Sequence, residues 1–256
     1  MSHLEAFARY SRQMLVPQIG RKGQERLAAA RVGVMGCGAL GSVVASHLVR
    51  CGVGFVRLID KDGPEIHNLH RQILYTERDV ALGTPKVEAA AAFLQAANSE
   101  VVVEPVVEVI SSETLPRLAA DLDLVVDGTD NFPTRFAINE YAVSRGMPWV
   151  YGGVITTTGM CMTIVPGQGP CLRCLVRELP PPEQAPTAAV AGVLSTIVGV
   201  IGSIEANEAI KLIVDPAARS CVLVAVDVWD LVFERLEIPR DPTCPCCGSA
   251  VSSKES

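Results

Sequence analysis

The run Arg31-Val32-Gly33-Val34-Met35-Gly36-Cys37-Gly38-Ala39-Leu40-Gly41 decides how this chain folds. Its first five residues alternate as a strand, the next six spell G-x-G-x-x-G, and an apolar helix is expected over Ser42–Cys51. The turn Gly52-Val53-Gly54 then leads into a second strand, Phe55 to Asp60. Strand, glycine loop, helix and strand make a βαβ unit. The glycines permit a tight turn and close approach of a ligand to the backbone, and the helix N-terminus supplies amide donors and a positive dipole. Asp60 closes the second strand, where a carboxylate can accept ribose hydroxyls. Alone, the loop suits NAD, FAD, S-adenosylmethionine or ATP.

Outward from this unit the alternation continues. A helix is expected over Val87–Ala97, a strand over Val101–Val109, a short helix over Leu115–Ala120 and a strand over Leu122–Asp127. A helix reaching Ser144 and a strand over Pro148–Gly152 follow. Such alternation predicts an α/β fold with a Rossmann-like, parallel sheet covered on both faces. After Gly153 the pattern changes: Met160–Val165 reads as part of a hairpin, and Cys221–Val228 with Leu231–Glu237 as antiparallel partners. The expectation is one domain over 1–256, with a helical arm at 1–30, a nucleotide-binding half at 31–153 and a partner-binding half at 154–256. The proline-rich stretch Pro180–Pro186 reads as an exposed loop.

Composition narrows the partners. With 49% hydrophobic and 20% charged residues the chain is globular rather than disordered. A net charge of −6 argues against a nucleic-acid surface, because approach to phosphate backbone would be repulsive. The longest apolar stretch, Ala188 to Ile204, is short for a membrane span and reads as a buried helix; no signal peptide opens the chain, so the expected location is cytoplasmic. In that compartment the nine cysteines suggest metal ligands and core thiols rather than disulfides.

Several residues separate the ligands that the loop alone admits. Asp60-Lys61-Asp62, Asn68-x-x-Arg71-Gln72, Pro85-Lys86 and Gly128-Thr129-Asp130-Asn131 follow the loop, and Tyr10-Ser11-Arg12-Gln13 precedes it. Two guanidiniums and an ammonium suit a triphosphate, and Asp130 is a sensible Mg²⁺ ligand. Taken singly, Arg12, Arg71 and Lys86 also fit solvated surface charges, Asp60 a loop cap, Asp130 a helix cap and Asn68 a turn residue. Cys171-x-x-Cys174 and Cys244-x-x-Cys247, about 70 residues apart, are two hooks that together suit a tetrahedral, structural Zn²⁺. Cys246 is a spare or competing thiol, and a redox pair is the non-metal alternative. Cys37, Cys51, Cys161 and Cys221 sit in apolar patterns as inert thiols.

In this order, the motifs resemble the ThiF/MoeB/HesA family of E1-like adenylyltransferases over nearly the whole chain. The resemblance also takes in Asn68-Leu69-His70-Arg71-Gln72, Asp127 to Arg135, Gly192-Val193-Leu194 and Gly199 to Lys211. It implies ATP held by Gly36, Gly38, Ala39, Gly41, Asp60, Asp62, Asn68, Arg71, Gln72, Lys86, Asp130 and Asn131. Asp60 would bind ribose, Asn68, Arg71 and Lys86 the phosphates, and Asp130 Mg²⁺. Arg12 would reach the γ-phosphate from the second subunit of a homodimer. The implied reaction is adenylation of the C-terminal Gly-Gly carboxylate of a ubiquitin-like sulfur carrier. Many relatives carry a cysteine where this chain has Ala188, so the reaction is expected to stop at the acyl-adenylate. With no sulfurtransferase domain after Cys247, sulfur is expected from elsewhere. Alternatives are adenylation of a non-protein carboxylate, an NAD-dependent oxidoreductase, which leaves Arg71, Lys86 and Asp130 unexplained, and a non-catalytic carrier scaffold.

Overall fold

A computed structural model describes residues 7–179, 181, 188–215, 217 and 221–248. Two short 3-10 turns, Ala8–Tyr10 and Gln13–Leu15, precede α1 (Gly20–Ala29). Then come β1 (Arg31–Met35), α2 (Ala39–Cys51), β2 (Phe55–Ile59), α3 (Glu77–Leu82), α4 (Lys86–Ala97) and β3 (Val102–Val106). After α5 (Leu115–Leu118), β4 (Leu124–Asp127), α6 (Phe132–Arg145) and β5 (Trp149–Ile155), the chain turns back as β6 (Thr158–Ile164). The remainder holds α7 (Leu172–Leu175), α8 (Ala188–Ala191), α9 (Ser195–Val214), β7 (Val222–Asp227) and β8 (Val232–Glu237).

All eight strands join one sheet in the order β3-β2-β1-β4-β5-β6-β7-β8. Pairings from β3 to β5 are parallel and those from β5 to β8 antiparallel, as the change of pattern at Gly153 predicts. Period-two alternation sends Val32, Val34, Val56 and Leu58 to the core beneath α1, α2, α4 and α9. Met35, Ile59, Val125 and Trp149 point to the opposite core under α5, α6 and α7. Each such fully buried side chain stabilises the fold by roughly 1.5–3 kcal/mol.

Two expected elements change. The strand expected over Val101–Val109 ends at Val106 and contains Pro105, which an edge strand tolerates because its missing N–H faces away from the ladder. The apolar run Ala188–Ile204 is not one helix. Gly192 takes a left-handed φ of 78° and the chain pairs with Thr156 before α9 starts at Ser195. α9 then runs on to Val214 and buries Glu205. Of the proline-rich loop, only position 181 falls among the described residues before Ala188, so that reading lies outside them. No helix among the described residues is long and apolar enough to cross a membrane.

Candidate active site

β1 and β4 are parallel neighbours, yet α2 leaves β1 for one face of the sheet and α6 leaves β4 for the other. The crevice at their C-terminal ends is where such sheets hold ligands. Gly36 turns with φ +91°, and a Cβ on Gly41 would fall 2.0 Å from the Gly36 carbonyl oxygen, so loop and helix touch only because both are glycine. Asp60, at the end of β2, braces the loop. Its Oδ2 accepts the Cys37 amide at 2.8 Å and its Oδ1 the Asp62 amide at 2.9 Å. The Tyr75 hydroxyl donates to the Cys37 carbonyl from below. Burial pushes the Cys37 thiol up to about 12, which makes it an inert support and no nucleophile.

The loop therefore presents a rigid helix N-terminus. Gly38 caps α2 with no side chain, and the amides of Ala39, Leu40 and Gly41 have no partner among the described residues. Gln72 is 95% buried beside Gly38 with its Oε1 unbonded, a costly arrangement that a ligand donor would relieve. Lys86 opens α4, is 8% exposed, has no carboxylate partner among the described residues, and lies close enough to act electrostatically on Cys37. Its amide donates to the Asp62 carbonyl at 2.9 Å, which ties α4 to the loop after β2. Arg71 also lacks a carboxylate among the described residues; its Nη1 donates to the His67 carbonyl at 2.7 Å. Asn68 is both buried and a turn residue: its Oδ1 accepts the Glu65 amide at 3.0 Å in a capping box, and its Nδ2 has no protein partner among the described residues.

On the β4 side, the helix cap is Asn131, whose Oδ1 accepts the Thr134 amide at 3.0 Å. Asp130 is exposed, its carboxylate accepts only from Asn131 Nδ2 at 3.3 Å among the described residues, and so it keeps oxygens for a cation. The structure does not bring Arg12 to this group. Gln13 is docked on the Cys51 carbonyl at 3.0 Å, at the far end of α2 from the loop. The 13 residues of α2 span about 20 Å, so Arg12 stands about that far from its own chain's crevice.

Sequence reading missed the residue that holds the Asp130 loop. Arg135, buried in α6, donates from Nε to Asp127 Oδ2 at 2.9 Å, and from Nη2 to the Thr129 and Gly152 carbonyls at 2.7 and 2.9 Å. The signal was its place one helical turn after the cap Asn131. Glu205, also missed, lies fully buried against Gly152, and neither carboxyl oxygen has a hydrogen-bond partner among the described residues. Burial pushes its carboxyl well above the usual carboxylate range, with the Asp127 charge adding to the effect.

Across the sheet, the Sγ atoms of Cys171, Cys174, Cys244 and Cys247 lie within 4.8 Å of one another. Two of the pairs are 3.6 and 3.5 Å apart, far beyond a disulfide and near the roughly 3.8 Å edge of a tetrahedron with Zn–S of about 2.3 Å. Four thiols with no fifth position suit a closed structural ion. Cys246 lies outside this set and accepts a bond from Asn139 Nδ2 at 3.1 Å.

A glycine-loop helix end, cations without carboxylate partners among the described residues and a loop carboxylate, in a mixed sheet with a switch point, make an arrangement suited to a nucleotide. The chain belongs to the ThiF family, which it matches over residues 10–246. Over 94% of its length it is 41% identical to the SAMP-activating enzyme E1 of Haloferax volcanii, covering 88% of that protein. It is likewise 41% identical, over 98% of its length, to the sulfur carrier protein adenylyltransferase of Thermus thermophilus, covering 94% of it. Among solved structures, E. coli MccB with ATP matches with a TM-score of 0.81 at 26% identity, over 94% of this chain and 74% of that one.

Proposed function

We propose that this protein uses Mg-ATP to adenylate the C-terminal Gly-Gly carboxylate of a ubiquitin-like sulfur-carrier protein. The observation that supports the reading is the pair Arg71 and Lys86, cations without carboxylate partners among the described residues, together with the amides of Ala39–Gly41, which have no partner among those residues. Such donors stabilise the charge that moves onto the phosphates as the α-phosphorus is attacked. A carrier carboxylate oxygen bonds to that phosphorus, the bond to the β-phosphate oxygen breaks, and pyrophosphate leaves. Asn68 and Gln72 orient the nucleotide, Asp60 accepts from the ribose, and Asp130 holds Mg²⁺. No protein nucleophile takes part; positioning and charge carry the rate.

The product is an acyl-adenylate for an external sulfur nucleophile. Ala188 opens α8, which leads into the Gly192–Leu194 segment paired with Thr156 just after β5, and the sequence has no cysteine between Cys174 and Cys221. The carrier body docks at the same end of the sheet, on exposed Trp229, Leu231 and Phe233 at the tip of the β7–β8 hairpin. The distance of Arg12 from its own crevice supports a homodimer in which each Arg12 serves the other subunit. Zn²⁺ on the four thiolates staples the C-terminal hook to α7. As the sequence reading has it, the chain works as one domain in the cytoplasm.

ATP–pyrophosphate exchange tests the reading. Exchange that requires both Mg²⁺ and a Gly-Gly carrier is expected; exchange supported by small carboxylates or peptides and by no carrier would overturn the choice of substrate.

A further inference from the structure

α6 and its cap line up three polar residues one turn apart on one stripe: the N-cap Asn131, then Arg135 and Asn139 within the helix. Asn131 caps the helix behind Asp130 and Arg135 clamps the 127–129 loop. Asn139, fully buried, reaches the cysteine hooks from the same helix, about 12 Å away along its axis. Its Oδ1 accepts the Leu172 amide at 2.9 Å, inside the first hook, and its Nδ2 donates to Cys246 Sγ at 3.1 Å, inside the second. The first hook is seated further by Arg173, which donates to Glu140 at 2.6 Å and stacks 4.1 Å from the Phe136 ring centroid. A buried amide satisfied on both sides fixes the helix in one register against the hooks.

We propose that Asn139 is a positioning residue for the adenylation reaction, linking the four-thiolate metal site through α6 to the Asp127–Asp130 loop that holds the nucleotide's metal. The inference rests on the reading of Asp130 given above. With the hooks closed, α6 cannot slide or tilt, and the Arg135 clamp sets where the Asp130 carboxylate stands. With the link cut, the loop samples more positions and Mg-ATP binds less tightly.

Zinc content, amide hydrogen exchange over 128–135 and direct Mg-ATP titration test this without using the carrier. Asn139→Ala is expected to keep its zinc, to exchange faster over 128–135, and to bind Mg-ATP about tenfold more weakly. Chelating zinc from the wild type should do the same. Cys246→Ala, which removes only the thiol acceptor, should shift both readouts in the same direction, whereas Cys246→Ser should not. If Asn139→Ala fails to hold zinc, the Cys246 pair carries the test. Unchanged exchange over 128–135 after zinc removal, or in Cys246→Ala and a zinc-loaded Asn139→Ala, overturns the proposal. A wild type that binds Mg-ATP and activates no carrier would instead sink the choice of substrate and leave this coupling standing.

Discussion

At the scale of single residues, the proposed chemistry runs on cations without carboxylate partners among the described residues. Lys86 is nearly buried yet lacks a carboxylate among the described residues, and Arg71 bonds only to a carbonyl and a histidine ring. Lys86→Ala and Arg71→Ala are therefore expected to lower carrier-dependent exchange about 10²–10³-fold each while circular dichroism and melting stay near wild type. A loss explained by unfolding would remove their assigned role. Glu205 gives a different test. The unfolded chain releases this proton near pH 4.3, about the ordinary glutamate value, whereas the buried group keeps it to much higher pH. Between those limits the folded state holds the extra proton, so its contribution is full at low pH and is lost as pH rises. Glu205→Gln should then raise the melting temperature by a few degrees at pH 8 and little at pH 4.5. Equal shifts at both would mean the acid is not neutral in the fold. Of the residue-level chemistry, Arg71 and Lys86 were legible in the sequence as candidate phosphate cations because they stand in a set order with the glycine loop. Arg135 and Glu205 were not, since a mid-helix arginine or glutamate looks solvated until the packing of α6 and α9 against the sheet buries it.

Among the elements, the parallel half was legible to within a few residues because β-branched alternation, glycine turns and apolar helices agree with one another there. The misreadings share a cause. Val101–Val109 has the alternation of a longer strand, but the ladder to β2 ends at Val106. Ala188–Ile204 is apolar throughout, and its break at Gly192 comes from pairing with Thr156, a long-range contact that composition does not encode. Exposure of the β7–β8 tip was equally invisible, since an alternating strand reads as half-buried, yet Trp229 and Leu231 are 75% and 77% exposed. If that tip receives the carrier, Phe233→Asp should raise the KM for the carrier at least tenfold and leave Mg-ATP affinity unchanged, as steady-state exchange would show. A parallel loss of ATP affinity would argue that the hairpin serves the fold instead.

For the whole molecule, α2 makes the decisive separation. It holds the nucleotide loop at one end and, through Cys51, the segment of Gln13 at the other, so a single chain carries Arg12 and its crevice about 20 Å apart. Arg12→Ala and Lys86→Ala, each inactive alone, should regain up to about a quarter of wild-type exchange when mixed and reassociated, because one crevice of a mixed dimer is then complete. No recovery, with mixed dimers demonstrated, would return Arg12 to the role of a surface charge. In the proposed reaction a carrier carboxylate attacks the α-phosphorus of ATP. Carrier labelled with ¹⁸O in its terminal carboxylate, turned over with ATP and a thiol acceptor, tests it most directly. One ¹⁸O is expected in the released AMP and none in pyrophosphate, whereas label in inorganic phosphate, or AMP formed without label, would rule that attack out.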